Sequence, residues 1–117
     1  MKNNSLEEIK QLVYHGHFLE SKSLLSKLNY DAIPLEEKIE FKILWYKTHV
    51  GLHDYETVLD LIDYTIESIK QSNMEVELLQ VLYLKSYALS YMNKLDDSLV
   101  VAKESLKLIK DMSKKRQ

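Results

Sequence analysis

Cysteine is absent from the 117-residue chain. That removes disulfides and every thiolate metal site, and it fits a reducing compartment. Proline occurs once and glycine twice, too few to turn the strands of a β-domain. What is left is long uninterrupted stretches of Leu, Ile, Lys, Glu, Ser and Tyr, the residues of helices. No apolar run is long enough to span a bilayer. The first ten residues, MKNNSLEEIK, carry acids where a signal peptide needs an apolar core. Charge of one sign is also missing: 16 basic residues stand against 18 acidic, for a net charge of −2. No cluster of cations is there to attract a nucleic-acid backbone. The expectation is a cytoplasmic protein with neither nucleic acid nor membrane as partner. Hydrophobic residues at 45% and charged ones at 29% give enough material for one domain with a modest core.

An all-helical chain of this kind is best compared first with itself. Setting Tyr55 against Leu95 aligns YETVLDLIDYTIESI with LDDSLVVAKESLKLI. Apolar residues at Tyr55, Val58, Leu59, Ile62, Ile66 and Ile69 are matched by Leu95, Ser98, Leu99, Ala102, Leu106 and Ile109. Both sets follow the spacing of one face of a helix. A third copy lies upstream, where Phe18, Ser21 and Leu25 match Tyr55, Val58 and Ile62, with Lys22 breaking the pattern. The period is loose: 37 residues separate Phe18 from Tyr55, and 40 separate Tyr55 from Leu95.

Immediately before each aligned position stand Gly16-His17, His53-Asp54 and Asn93-Lys94. Gly, His and Asn are residues that enter the left-handed backbone region more readily than most. Such a residue ends one helix and starts the next across a very short turn. Ser5-Leu6-Glu7-Glu8 and Ser72-Asn73-Met74-Glu75 read as capping boxes. Pro34, followed by Glu36 and Glu37, suits a helix start. Six helices are expected, near 5–15, 18–28, 34–52, 55–71, 74–92 and 95–112. They would form three antiparallel pairs near 5–28, 34–71 and 74–112, with 113–117 as a basic flexible tail.

Three helix pairs with small-residue corners resemble tetratricopeptide repeats (TPR). The likeness runs from about residue 3 to 112. It is strongest at GHFLES, HDYETV and NKLDDS, which look like the family's Gly-Asp-Tyr-x-x-Ala, with Ser21, Val58 and Ser98 in the small alanine place. The small residue expected in the first helix of each pair is Ser86 in the third, but Tyr46 in the second and Ile9 in the first, and only Pro34 represents the closing proline. The resemblance implies an all-α, short right-handed solenoid. Neighbouring pairs share a core, and the first helices line a concave surface. Large side chains such as Trp45, Leu59, Ile62, Leu82 and Leu89 would carry most of its stability.

On that surface the resemblance puts Lys10 and Tyr14 from the first pair, Ile43 and Lys47 from the second, and Tyr83, Tyr87 and Tyr91 from the third. The three tyrosines lie four apart on one helical face. Rings flanked by lysines suit a peptide or partner helix, since tyrosine offers wide contact area at little entropic cost. A plainer alternative is that the rings only pack on the next helix. The places that would clamp a peptide's terminal carboxylate in some members of the family hold Leu6, Lys10, Leu44, Gln80 and Leu84, so a chaperone-tail adaptor is not expected.

The four histidines invite a metal reading. His49 and His53 share a helical face, and His15 and His17 flank Gly16. No carboxylate completes an H-E-x-x-H motif, and Asp54 beside His53 reads as a helix cap. Corner or surface histidines, with no metal and no cofactor, are the expectation. No Ser-His-Asp or Gly-rich phosphate motif is traceable, so no enzyme is expected. The last helix carries a second apolar row, Val101, Leu108 and Met112, on a face distinct from Leu95, Leu99, Leu106 and Ile109. Left uncovered, it would serve self-association or a docked partner, or would mark an array that once continued. Alternatively, Lys103, Lys107 and Lys110 shield it with their stems. The sequence therefore points to a non-enzymatic protein-interaction module with a protein or peptide partner. A homodimer through the last helix, a peptide-sensing regulatory domain and a histidine metal bundle stand as alternatives.

Overall fold

A computed structural model describes residues 4–115. Among them the chain is all helical: α1 (Asn4–Tyr14), α2 (Phe18–Lys27), a single 3-10 turn (Tyr30–Ala32), α3 (Leu35–Gly51), α4 (Tyr55–Lys70), α5 (Glu75–Tyr91) and α6 (Leu95–Lys115). No helix among the described residues is long and apolar enough to cross a membrane. The chain divides between Asp54 and Tyr55 into two units, so α3 and α4 belong to different ones.

The three expected corners share one geometry. Gly16, His53 and Asn93 all have positive φ, at 78°, 63° and 64°. In the first corner Gly16 N–H donates to Val13 O (3.1 Å) and His17 N–H to Leu12 O (2.8 Å). The same pair of bonds recurs as His53 to Val50 (3.0 Å) and Asp54 to His49 (2.8 Å), and again as Asn93 to Ser90 (3.2 Å) and Lys94 to Leu89 (2.9 Å). This is the Schellman arrangement: a left-handed residue folds the chain back, and two otherwise orphaned carbonyls gain donors. Two residues after the left-handed one the next helix begins, at Phe18, Tyr55 and Leu95.

In the first unit α1, α2 and α3 pack on one another. Leu6, Ile9, Leu25, Ile33, Phe41 and Leu44 form its buried core, with Val13, Leu24, Leu28, Tyr30 and Trp45 packed around them. Each fully buried aliphatic side chain contributes roughly 1.5–3 kcal/mol. The α2–α3 crossing also has a polar contact, Ser21 Oγ to Thr48 Oγ1 at 2.7 Å, with both side chains fully buried. Nearby, the Phe18 ring lies directly over the backbone of Gly51, where any Cβ would overlap it. The 3-10 turn is opened by Asn29, whose side chain accepts from Asp31 N–H at 3.2 Å. It sets the Tyr30 ring against Phe41 and beneath Lys38 Nζ, 4.4 Å from the ring centre.

In the second unit α5 lies between α4 and α6. Being covered on two sides, it buries Val81, Leu82, Leu84, Ala88 and Leu89 rather than a single stripe. From α4 it receives Val58, Ile62, Ile66 and Ile69, and Val101 is the buried residue of α6. At the α5–α6 crossing Ser86 and Ser98 meet through three contacts, one of them Ser86 Oγ donating to Ser98 O at 3.3 Å. Their hydroxyls are 3.0 Å apart, and Ser98 Oγ donates to Ser86 O at 2.9 Å. Two small side chains let these backbones approach closely. In the first pair the equivalent place holds Ile9, fully buried.

Three expectations are corrected. Ser72 is no helix cap: its hydroxyl donates back to Ser68 O at 3.1 Å, Asn73 takes a left-handed φ of 56°, and α5 starts only at Glu75. Ser72 finishes the helix before it because its amide already donates to Ile69 O. The supposed tail is helical as far as Lys115, whose ammonium lies 3.1 Å from Glu75. No Gly or Pro interrupts this stretch, and lysines favour a helix C-terminus. Finally, the apolar rows of α6 are turned the other way round. Val101 is buried, with Leu108 and Met112 partly so, whereas Leu95, Leu99, Leu106 and Ile109 are exposed. The side chain of Ser5, expected as a cap, lies outside those described.

Candidate functional site

Tyr83, Tyr87 and Tyr91 stand one turn apart along α5, because residues four apart share a helical face. Tyr83 and Tyr91 are exposed, and Tyr87 is half-buried between them. Their rings are neighbours: 6.0 Å from Tyr83 to Tyr87, and 4.7 Å from Tyr87 to Tyr91, centre to centre. A fourth ring underlies them. Tyr55, buried at the first position of α4, stacks on Tyr91 at 5.2 Å with planes 20° apart, and lies 6.3 Å from Tyr87. Aromatic pairs at these separations add about 0.5–1.5 kcal/mol each beyond simple burial.

The sequence reading does not place Tyr55 in this set; there it is the first apolar position of the repeated helix face. A signal was present. α4 and α5 are of nearly equal length and joined by a short connection, so the first residue of one should face the last residue of the other. Lys85 Nζ, 2.6 Å from Asp63 Oδ1 across the same pair of helices, obeys the same antiparallel register.

The cluster changes the chemistry of its hydroxyls. Hydrogen bonding with Tyr91, followed by burial and the neighbouring phenols, pushes the Tyr87 hydroxyl up to about 12. Burial, then Tyr91, raises Tyr55 as well. Both are neutral phenols at physiological pH: apolar faces with a hydrogen-bonding tip, suited to contact rather than to proton transfer.

The other expected residues lie in the first unit. Lys10 and Tyr14 occupy one exposed face of α1, with the Tyr14 ring edge-on to His15 at 5.1 Å, and Lys47 is half-buried on α3. Ile43, Leu6 and Leu44 are buried there, as Leu84 is in α5. Three of the five carboxylate-clamp places thus face the interior.

The histidines do not converge. His49 is buried against the Trp45 ring (3.9 Å between centres), and its Nδ1 lies 3.2 Å from Asp54 Oδ2. Asp54, read as a cap, thus also closes the second corner through a side chain. His17 lies 3.5 Å from Glu20, with its ring 6.4 Å from that of His15, and His53 is exposed at its turn. Among the described residues no three His, Cys, Asp or Glu side chains are placed to hold a metal. No family model, curated protein or solved structure matches the chain.

Proposed function

We propose that the chain is a non-enzymatic protein-interaction module of the cytoplasm: three helix pairs stacked as a short, TPR-like, right-handed solenoid that takes a peptide or partner helix on a tyrosine-lined face. The observation that carries this reading is the row Tyr83, Tyr87 and Tyr91, exposed at both ends and seated on Tyr55. Rings already fixed by their neighbours lose little freedom on binding, which is what makes tyrosine a favoured contact residue. Three identical Schellman corners support the repeat, and the Ser86–Ser98 crossing supports close packing within its last pair. Lys10, Tyr14 and Lys47 of the first unit are the further contact residues of this reading.

The test is selection of binders from a displayed library of random peptides, followed by titration against the wild-type chain and a Tyr83→Ala/Tyr91→Ala variant. Both positions are exposed, so helicity by circular dichroism should not change. Affinity should fall tenfold or more, as for residues at the centre of an interface. Equal affinity for the two proteins would rule out this surface.

A further inference from the structure

α6 carries an apolar seam that nothing in its own unit covers. Leu95, Leu99, Leu106 and Ile109 are 61%, 55%, 59% and 49% exposed, with Ala102 completing the row. The intervals are four, three, four and three residues: the 3.5-residue period of a coiled-coil seam rather than the scatter of a solvated face. At 1.5 Å per residue it runs for roughly 20 Å along the helix. The row beside it, Ser98, Val101, Ser105, Leu108 and Met112, is buried or half-buried, consistent with the Ser98 bonds to Ser86 of α5. From α4 a single ion pair reaches α6, Lys70 Nζ to Glu104 Oε2 at 3.0 Å. The seam is the longest regular apolar row on the exposed side of α6.

The charges beside it identify that occupant. The residues next to the seam on its open flank are Asp96, Lys103 and Lys110, one helical heptad apart, acidic at the start of α6 and basic toward its end. The other flank is Ser98, Ser105 and Met112, turned inward. Lay a second α6 on the seam in the same direction and the charged flank of each copy faces the Ser98, Ser105 and Met112 flank of the other, so its charges find no partner. Turn it end over end about Ala102, and Asp96 of each copy comes level with Lys110 of the other, Leu95 with Ile109 and Leu99 with Leu106, giving two opposite-charge pairs against the single meeting of the two Lys103 near the axis. The apolar spacing survives the reversal, because four-three-four-three reads as three-four-three-four.

We propose that α6 is the interface of an antiparallel homodimer, closed by a twofold axis through the middle of the Leu95–Ile109 seam. Such an isologous contact uses one patch twice and leaves no open end for further growth. It is independent of the tyrosine face, which lies on α5.

Sedimentation equilibrium of the full chain over a wide range of concentration is the first test. The expected result is reversible association to twice the 13.8 kDa chain mass. Leu99→Asp/Leu106→Asp should leave the circular dichroism spectrum intact and shift the protein to monomer. The direction of pairing is read by charge exchange. Asp96→Lys alone and Lys103→Asp/Lys110→Asp alone should each weaken the dimer about tenfold by setting like charges side by side, and the triple exchange should restore it. A chain that is monomeric throughout, a dimer indifferent to Leu99→Asp/Leu106→Asp, or a triple exchange no better than its parts would each overturn the proposal.

Discussion

Single residues decide where this chain turns. At Asn93 a left-handed φ of 64° means that side-chain shape, not lost contact, sets the cost of substitution. Asn93→Gly should stay within about 1 kcal/mol of the native protein, because glycine enters that region freely but gains unfolded-state entropy. Asn93→Val should lose about 1–2 kcal/mol, since a Cβ branched next to the backbone clashes there. Urea unfolding of the two variants measures the difference. Tyr87 gives a residue-scale prediction in pH. Its folded value of about 12 lies above the ordinary 10.0, so above pH 10 the unfolded chain loses this proton first. With fewer protons bound in the unfolded state, the slope of unfolding free energy against pH is negative. Tyr87's contribution is whole below pH 10 and lost as pH rises toward 12. Absorbance titration of tyrosinate should show one late component that disappears in Tyr87→Phe, and melting temperatures of that variant should fall less steeply over the same interval.

At the scale of elements, helix number, order and boundaries were legible to within about three residues. The reason is that apolar spacing and corner residues are both local signals. Gly16, His53 and Asn93 were readable because few side chains tolerate positive φ. Asn73, the fourth such residue, was obscured by the capping-box pattern around it. What local spacing does not encode is which of two valid faces is covered. Both apolar rows of α6 obey helical periodicity, and the choice falls to a tertiary contact, the meeting of Ser98 with Ser86. The same dependence on a neighbour governs α3. Gly51 is the last residue of α3, where alanine would ordinarily be tolerated at least as well, yet the Phe18 ring occupies the space of its missing side chain. Gly51→Ala should therefore destabilise by about 1–3 kcal/mol despite the gain in helix propensity. A thermal unfolding series with Gly51→Ala and Gly51→Ala/Phe18→Leu checks the cause, since the smaller partner should recover part of the loss.

For the whole molecule, the tyrosine site was half legible. The α5 row followed from four-residue spacing, but Tyr55 beneath it comes from another helix and is visible only once α4 and α5 are packed. The histidines show the converse. Two suggestive spacings in sequence became separate local roles: His49 is taken up by Trp45 and Asp54, and His17 by Glu20. A metal that binds only the folded state must raise its melting temperature in proportion to the logarithm of metal concentration. Three ligands in tetrahedral reach are the least that a tight zinc site requires, and no such trio exists among the described residues. Thermal unfolding in increasing zinc should therefore show no upward shift beyond that of a His15→Ala/His53→Ala variant. A logarithmic rise specific to the native histidines would instead mean that the corners gather around an ion. The dimer seam and the tyrosine row would then have to be reconsidered as surfaces of a metal-held bundle.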